Sequence, residues 1–221
     1  MLRQQLDRQG HTLVPAILSA AEAQRLSGLI DAPAGKPGQR ERLVEGWCAD
    51  LALGLRHHQA LAPALAPDAV ALQCICFEKS ADLNGLVAVH QDLGFPVKGH
   101  TAHPAWKAWS VKDGTTYVQP PLPVLEQLLA VRVHLDPCGL NDGPLVVVPG
   151  SHRQGVVAPD EAIALRAEEE LCPAALGDAL LMRPLLLHRS SKARGQSRRR
   201  VLHFVFGPRQ LPDGIAWLHA I

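Results

Sequence analysis

A surplus of charge of either sign is what this chain lacks first. Its 22 lysines and arginines stand against 21 aspartates and glutamates, a formal net charge of +1 over 221 residues. That balance gives no broad electrostatic reason to expect nucleic acid or an anionic membrane as partner. The one basic run, Arg198 to Arg200, is short and reads as solvated. Paired cysteines are missing too. Cys48, Cys74, Cys76, Cys138 and Cys172 are odd in number and show no C-x-x-C spacing, which argues against a disulfide framework and a structural zinc site. They are expected to be reduced and mostly buried. No apolar run approaches the ~18 residues of a membrane span, and Met1 to Gly10 lacks the apolar core of a signal peptide, so a cytoplasmic protein is expected. What is present, 47% apolar and 19% charged residues, suits a single globular domain over 1–221.

Local patterns divide the chain into a helical N-terminal part, about 1–68, and a strand-rich part, about 69–208. Ser19 is placed to cap a helix with Leu26, Leu29 and Ile30 on one face. A Pro/Gly-rich loop follows between Ala32 and Arg40, and Asp50 to Leu65 suits further helix ended by Pro63 and Pro67. From Ala69 the apolar runs AVALQCICF, LVAVH, LAVRVHL, PLVVV, ALLM and RVLHFVF alternate with Gly, Pro, Asp or Asn, the pattern of a sandwich or barrel. Two stretches break the rhythm. Gly94 to Pro123 is too long for a hairpin and reads as a lid or substrate loop, and Asp160 to Leu171 reads as a short surface helix. The expected fold is mainly β with flanking helices, a double-stranded β-helix of jelly-roll, cupin-like type.

The chemistry is concentrated in VAVHQD, Val87 to Asp92. His90 and Asp92 lie two apart at the end of a strand-like run, so their side chains project to one face. A His-x-Asp pair with a distant second histidine is the ligand set of non-haem Fe(II) oxygenases, in which three protein ligands leave the other positions open. His188 is best placed to be that histidine, because it ends ALLMRPLLLH before a polar loop. Eleven residues on, Arg199 opens the next strand, where a turning chain would return it to the metal. A planar, permanently charged guanidinium is suited to grip the far carboxylate of 2-oxoglutarate.

With these residues in order, the sequence resembles the phytanoyl-CoA dioxygenase family of Fe(II)/2-oxoglutarate oxygenases. HQD at 90–92, NDGPLVVVPGSH at 141–152, and HRSS followed by RRVLH carry the resemblance, which covers roughly Leu72 to Pro208. It implies that His90, Asp92 and His188 ligate Fe(II), that Arg199 binds 2-oxoglutarate, and that the Ser190 hydroxyl helps hold the cosubstrate. The loop after His188 reads KARGQS where the family often has Asn, so Arg200 is the alternative anchor, with the spacing from His188 favouring Arg199. It also implies O2 as second cosubstrate, succinate and CO2 as products, and hydroxylation of an unactivated C–H in a small molecule. Halogenating relatives replace the carboxylate by a small residue, so Asp92 argues against that outcome. The rivals are a cupin-like metal enzyme without an oxo acid, which would dispense with Arg199, and a non-catalytic 2-oxoglutarate or metal binder.

The other polar residues divide by face. Arg132, His134 and Asp136 alternate along one strand, and an inward Arg132 would touch the cosubstrate or a substrate carboxylate while an outward one would be solvated; Gln73 is open in the same way. Trp106, Trp109 and Lys112 follow the HQD strand and are candidates to cover substrate, with a packing role as the alternative for Trp109. The 141–152 motif is expected to be structural, with His152 hydrogen-bonded inside the fold. His57, His58, His100, His103, His203 and His219 are expected to be ordinary solvated or hydrogen-bonded histidines.

Overall fold

The computed structural model describes residues 1–30, 38–195 and 198–221, with residue 167 described by its backbone alone. The elements run α1 (Leu2–Gln9), β1 (His11–Val14), α2 (Ala20–Leu29), β2 (Gly38–Gln39), α3 (Gly46–His57), β3 (Val70–Lys79), β4 (Val87–His90), β5 (Phe95–Pro96), β6 (Lys107–Lys112), β7 (Thr115–Gln119), α4 (Leu122–Leu125), β8 (Leu129–His134), β9 (Leu145–Val147), α5 (Pro159–Ala164), β10 (Glu170–Cys172), β11 (Ala179–Met182), β12 (His188–Ser190) and β13 (Arg199–Gly207). A six-stranded antiparallel sheet in the order β1-β11-β8-β13-β3-β2 faces a four-stranded one, β10-β9-β12-β4. The jelly-roll expectation is met.

Period-two alternation sorts the large sheet's side chains. Leu202, Phe204 and Phe206 of β13 and Val131 and Val133 of β8 pack outward against Leu26 of α2 and Cys48, Ala52 and Leu55 of α3. Val205, Ala130, Leu180 and Leu72 face inward to meet Leu145 and Val147 of the small sheet. In β3 the register slips, with Val205 opposite Gln73 but Phe206 opposite Ala71, a bulge of one extra residue. Leu72 before it and Gln73 after it therefore both lie on the inner side.

Helix α2 has the expected cap: the Ser19 side chain accepts from Glu22 N, and the Glu22 carboxylate accepts from Ser19 N at 2.8 Å. All five cysteines are buried and free. Other expectations need correction. The N-terminal part is not purely helical, because β1 pairs with β11 at the edge of the large sheet. The loop expected at 32–40 lies outside the described residues up to residue 37. Asp160 to Leu171 is a helix only as far as Ala164; after a 3₁₀ turn it enters β10, which pairs with β9. Gly94 to Pro123 is no open loop but a three-stranded sheet, β5-β7-β6. Its hairpin turns at Asp113 and Gly114, both at positive φ (50° and 83°), the two-residue Asp-Gly turn that matches strand twist. No helix among the described residues is long and apolar enough to cross a membrane.

Candidate metal centre

The three expected ligands meet. In the small sheet β12 pairs with β4 so that His188 lies opposite His90, with ring centroids 4.2 Å apart. Asp92 lies two residues beyond its neighbour, past the end of β4, and its backbone N–H is tied to Pro184 O at 2.9 Å. The intervening Gln91 is turned away and buried. Its amide donates to Gly155 O and Leu185 O, and its Oε1 accepts from Val157 N, so it clamps the loops behind the two flanking side chains. The PGSH motif places His188 in turn: Leu187 N donates to Ser151 Oγ at 2.9 Å, and Val148 N donates to Leu187 O. His152 is structural as expected, its Nε2 3.2 Å from Asp7 O of α1.

The donor atoms of His90, Asp92 and His188 all lie within 4.8 Å of one another. His90 Nδ1 is 2.8 Å from Ala88 O, and His188 Nδ1 is 2.9 Å from Leu186 O. Only a protonated Nδ1 can satisfy those carbonyls, so each Nε2 presents a lone pair, 3.7 Å from an Asp92 oxygen in both cases. Burial pushes the His188 pKa down to about 4, with Asp92 opposing the shift, so the ring is neutral at pH 7. Burial alone would raise the Asp92 carboxyl, but His188, His203, His90 and Arg132 together hold it below its usual value. Two lone pairs and a carboxylate converging on one point repel each other unless a cation lies between them. The donor set therefore fits a divalent metal such as Fe(II).

Two chambers share His90, Asp92 and Phe77. The first, about 160 Å³, is also bordered by Lys79, Arg132, Ser190 and Arg199. Arg199 Nη1 and the Ser190 hydroxyl both donate to Gly143 O, at 3.0 and 3.1 Å, and Arg199 Nε is buried with no hydrogen-bond partner. Lys79, directly opposite Arg199 in the β3–β13 register, donates to Ser191 O. Burial, then the charge of Arg199, lowers its pKa to about 8. Glu78, which also borders this chamber, is engaged by Arg198, and among the described residues no carboxylate pairs with Lys79 or Arg199. Arg200 sits on the opposite face of β13. It forms a two-pronged pair with Asp136, 2.8 Å on each prong, and donates to Ser27 O at the back of the sheet. Asp136 therefore leaves the face that Arg132 and His134 share.

The second chamber, about 290 Å³, is bordered by Gln73, Lys112, Tyr117, Arg40 and His203. Gln73 is buried, with Oε1 lacking a partner, and Lys112 lies over the Tyr117 ring at 5.0 Å. Trp106 and Trp109 border neither chamber. Trp106 is buried with Nε1 donating to Asp213, and Trp109 donates to Trp106 O, so both anchor the small insert sheet. Three residues escaped sequence reasoning: Lys79, the Gly143 carbonyl, and His203, which is buried with Nε2 3.5 Å from Asp92. The parity of β13 could have found His203, since it shares a face with Arg199.

A jelly roll with a two-histidine, one-carboxylate cluster between a cationic chamber and a polar one has the form of the iron- and 2-oxoglutarate-dependent oxygenases. The family model of phytanoyl-CoA dioxygenase (PhyH) matches residues 6–201, and the chain belongs to that family. Its cofactor is Fe(II), with 2-oxoglutarate and O2 as cosubstrates. No curated protein matches the sequence. Among solved structures the chain is similar to HygX from Streptomyces hygroscopicus with nickel, 2-oxoglutarate and hygromycin B bound: 17% identity, 94% of this chain and 88% of that one, TM-score 0.65. It is similar to the 2-oxoglutarate-dependent epimerase SnoN from nogalamycin biosynthesis, at 21% identity over 99% and 90% of the chains with TM-score 0.66. It also resembles EctD from S. alaskensis, at 20% identity over 93% and 75% with TM-score 0.66.

Proposed function

We propose that this enzyme hydroxylates an unactivated C–H bond of a small polar molecule, with succinate and CO2 formed from 2-oxoglutarate. The observation that carries the reading is the pair of inward cations, Lys79 and Arg199, facing a chamber that opens on the His90–Asp92–His188 cluster without a counter-carboxylate. Two buried cations left unmatched are costly, and a bound dicarboxylate offsets that cost. A metal enzyme that uses no oxo acid has no need of them.

Each group then has a task. His90, Asp92 and His188 would hold the iron, which would activate O2 so that one oxygen atom goes to succinate and the other to the substrate C–H bond. Arg199 and Lys79 fix the far carboxylate of 2-oxoglutarate, and the Ser190 hydroxyl lies beside that end. Gly143 O holds Arg199 in its rotamer before the cosubstrate arrives, which lowers the ordering cost of binding. Arg132 adds positive charge along the chamber wall. Substrate occupies the second chamber, where the Gln73 amide meets a hydroxyl or amine, and Lys112 meets an acidic or polar group at the mouth. A long acyl chain has few apolar partners there. HygX is described with hygromycin B bound and SnoN as a 2-oxoglutarate-dependent epimerase, so neighbours of this fold differ in ligand and in reaction. The five buried free cysteines suit a reducing cytoplasm.

The test is succinate release by the Fe(II)-loaded enzyme, with and without a library of small polar metabolites. The expected result is 2-oxoglutarate-dependent succinate formation, stimulated by the true substrate and abolished in His90→Ala. A His90→Ala variant that kept Fe(II) affinity and decarboxylation would show the assignment of the cluster to be wrong.

A further inference from the structure

We propose that Arg132 and His203 act as a positioning pair that aims the Asp92 carboxylate at the metal. The inference rests on the metal-site reading above and adds a role for the large sheet, which contributes none of the three candidate ligands.

The geometry is specific. Arg132 of β8 and His203 of β13 are directly opposite each other across the antiparallel pair, and both are buried, at 6% and 2% exposure. Arg132 Nη1 lies 2.9 Å from His203 Nδ1. A guanidinium can only donate, so Nδ1 is the acceptor and the ring proton sits on Nε2. That Nε2 stands 3.5 Å from Asp92 Oδ2. The other two imidazoles near Asp92 have the opposite tautomer, because His90 and His188 spend their Nδ1 protons on backbone carbonyls. Of the three rings around the carboxylate, His203 is therefore the one that offers it a proton, and Arg132 is the reason it does.

The arrangement solves a problem particular to a one-point carboxylate ligand. One oxygen must face the ion, and the other must be held or the group rotates and closes on the metal with both. Each oxygen lies 3.7 Å from one ligand imidazole, Oδ1 from His90 Nε2 and Oδ2 from His188 Nε2, and only Oδ2 also has the His203 N–H beside it, so that donor leaves Oδ1 as the oxygen free to face the ion. Arg132 is itself fixed from the other side by the Phe77 ring, 5.5 Å from its guanidinium carbon. Two sheets thus cooperate: the small sheet carries the ligands, and the large sheet sets the angle of one of them.

The test is Co(II) titration of the metal-free full-length protein, read by its visible absorption, without 2-oxoglutarate so that no cosubstrate contact enters. A glutamine at 203 can place its amide N–H where the imidazole Nε2 lies, whereas asparagine can reach only the Nδ1 position. His203→Gln is expected to bind Co(II) within about threefold of wild type with an unchanged spectrum. His203→Asn and His203→Leu should bind about 10–100-fold more weakly with an altered spectrum, and Arg132→Met should shift both in the same direction. Far-UV circular dichroism establishes that each variant is folded; the Gln and Asn pair carries the test if Leu is not. Equal affinity for Asn and wild type, or equal loss for Gln and Asn, would overturn the proposal. If wild type binds no Co(II), or His90→Ala binds it normally, the metal site itself fails; if those two behave and the 203 series is flat, only the positioning role fails.

Discussion

Arg199 and Arg200 are adjacent, chemically identical and on opposite faces of β13, so exchanging each for leucine separates cosubstrate binding from stability. Arg199→Leu would remove the charge-assisted contact proposed for the far carboxylate of 2-oxoglutarate. A hydrogen bond to a charged group contributes about 1.5–3 kcal/mol, and each 1.4 kcal/mol is about tenfold. The apparent KM for 2-oxoglutarate should therefore rise about 10–100-fold, with Lys79 keeping some affinity. Arg200→Leu instead strands Asp136, whose carboxylate then keeps only the Arg200 backbone N–H. Both side chains are largely covered, at 11% and 17% exposure. Breaking such a pair costs about 3 kcal/mol, the low end for buried pairs because that one donor survives. In a chain of this size this lowers Tm by about 6–12 °C. The assay is a 2-oxoglutarate titration of succinate formation beside thermal unfolding of the same preparations. A larger KM effect at Arg200 than at Arg199, or the same effect at both, refutes the assignment of faces.

Other outcomes follow from the same geometry. Lys79 is charged below its pKa of about 8, lowered by burial and by Arg199, and neutral above it. Affinity for the 2-oxoglutarate dianion should accordingly fall by up to about tenfold per unit above pH 8, and equilibrium titrations of Lys79→Met should lose that dependence. Gly143 has φ +64°, and an added Cβ would stand 2.5 Å from Ser191 O. Gly143→Ala should cost about 1–2 kcal/mol from backbone strain alone and raise the KM for 2-oxoglutarate by displacing the carbonyl that seats Arg199, as steady-state kinetics would report. Ser19→Ala removes one half of the α2 capping box and should lower stability by about 1 kcal/mol, seen as a Tm drop with unchanged kinetics.

The strands that pair in the middle of the large sheet, β3, β8, β11 and β13, were legible because apolar residues dominate each run on both faces, with only scattered polar residues such as Gln73, Arg132 and His203 among them. β1 and β12 were not, since His11, Thr12, His188, Arg189 and Ser190 are polar and owe their strand state to partners far along the chain. The insert hairpin had a signal that went unused, the Asp113-Gly114 pair between strand-forming residues. The cluster of His90, Asp92 and His188 was readable from spacing and motif order. Strand parity puts His203 on the face of Arg199, but its pairing with Arg132, like that of Lys79 with Arg199, lies in register between strands that the sequence does not state. Gln73 could not be assigned a face because the bulge beside it resets the alternation on which such an assignment depends.

The double duty of Gly143 O, which receives both Ser190 of β12 and Arg199 of β13, ties the strand that carries one ligand to the residue placed to grip the oxo acid. His188 is two residues from Ser190 on β12, so one carbonyl stands between the ligand strand and Arg199. Loading of the ion and capture of the dicarboxylate are therefore expected to be coupled equilibria, and measuring the affinity of each with and without the other checks it, since equal values in both cases would show the shared carbonyl to carry no coupling.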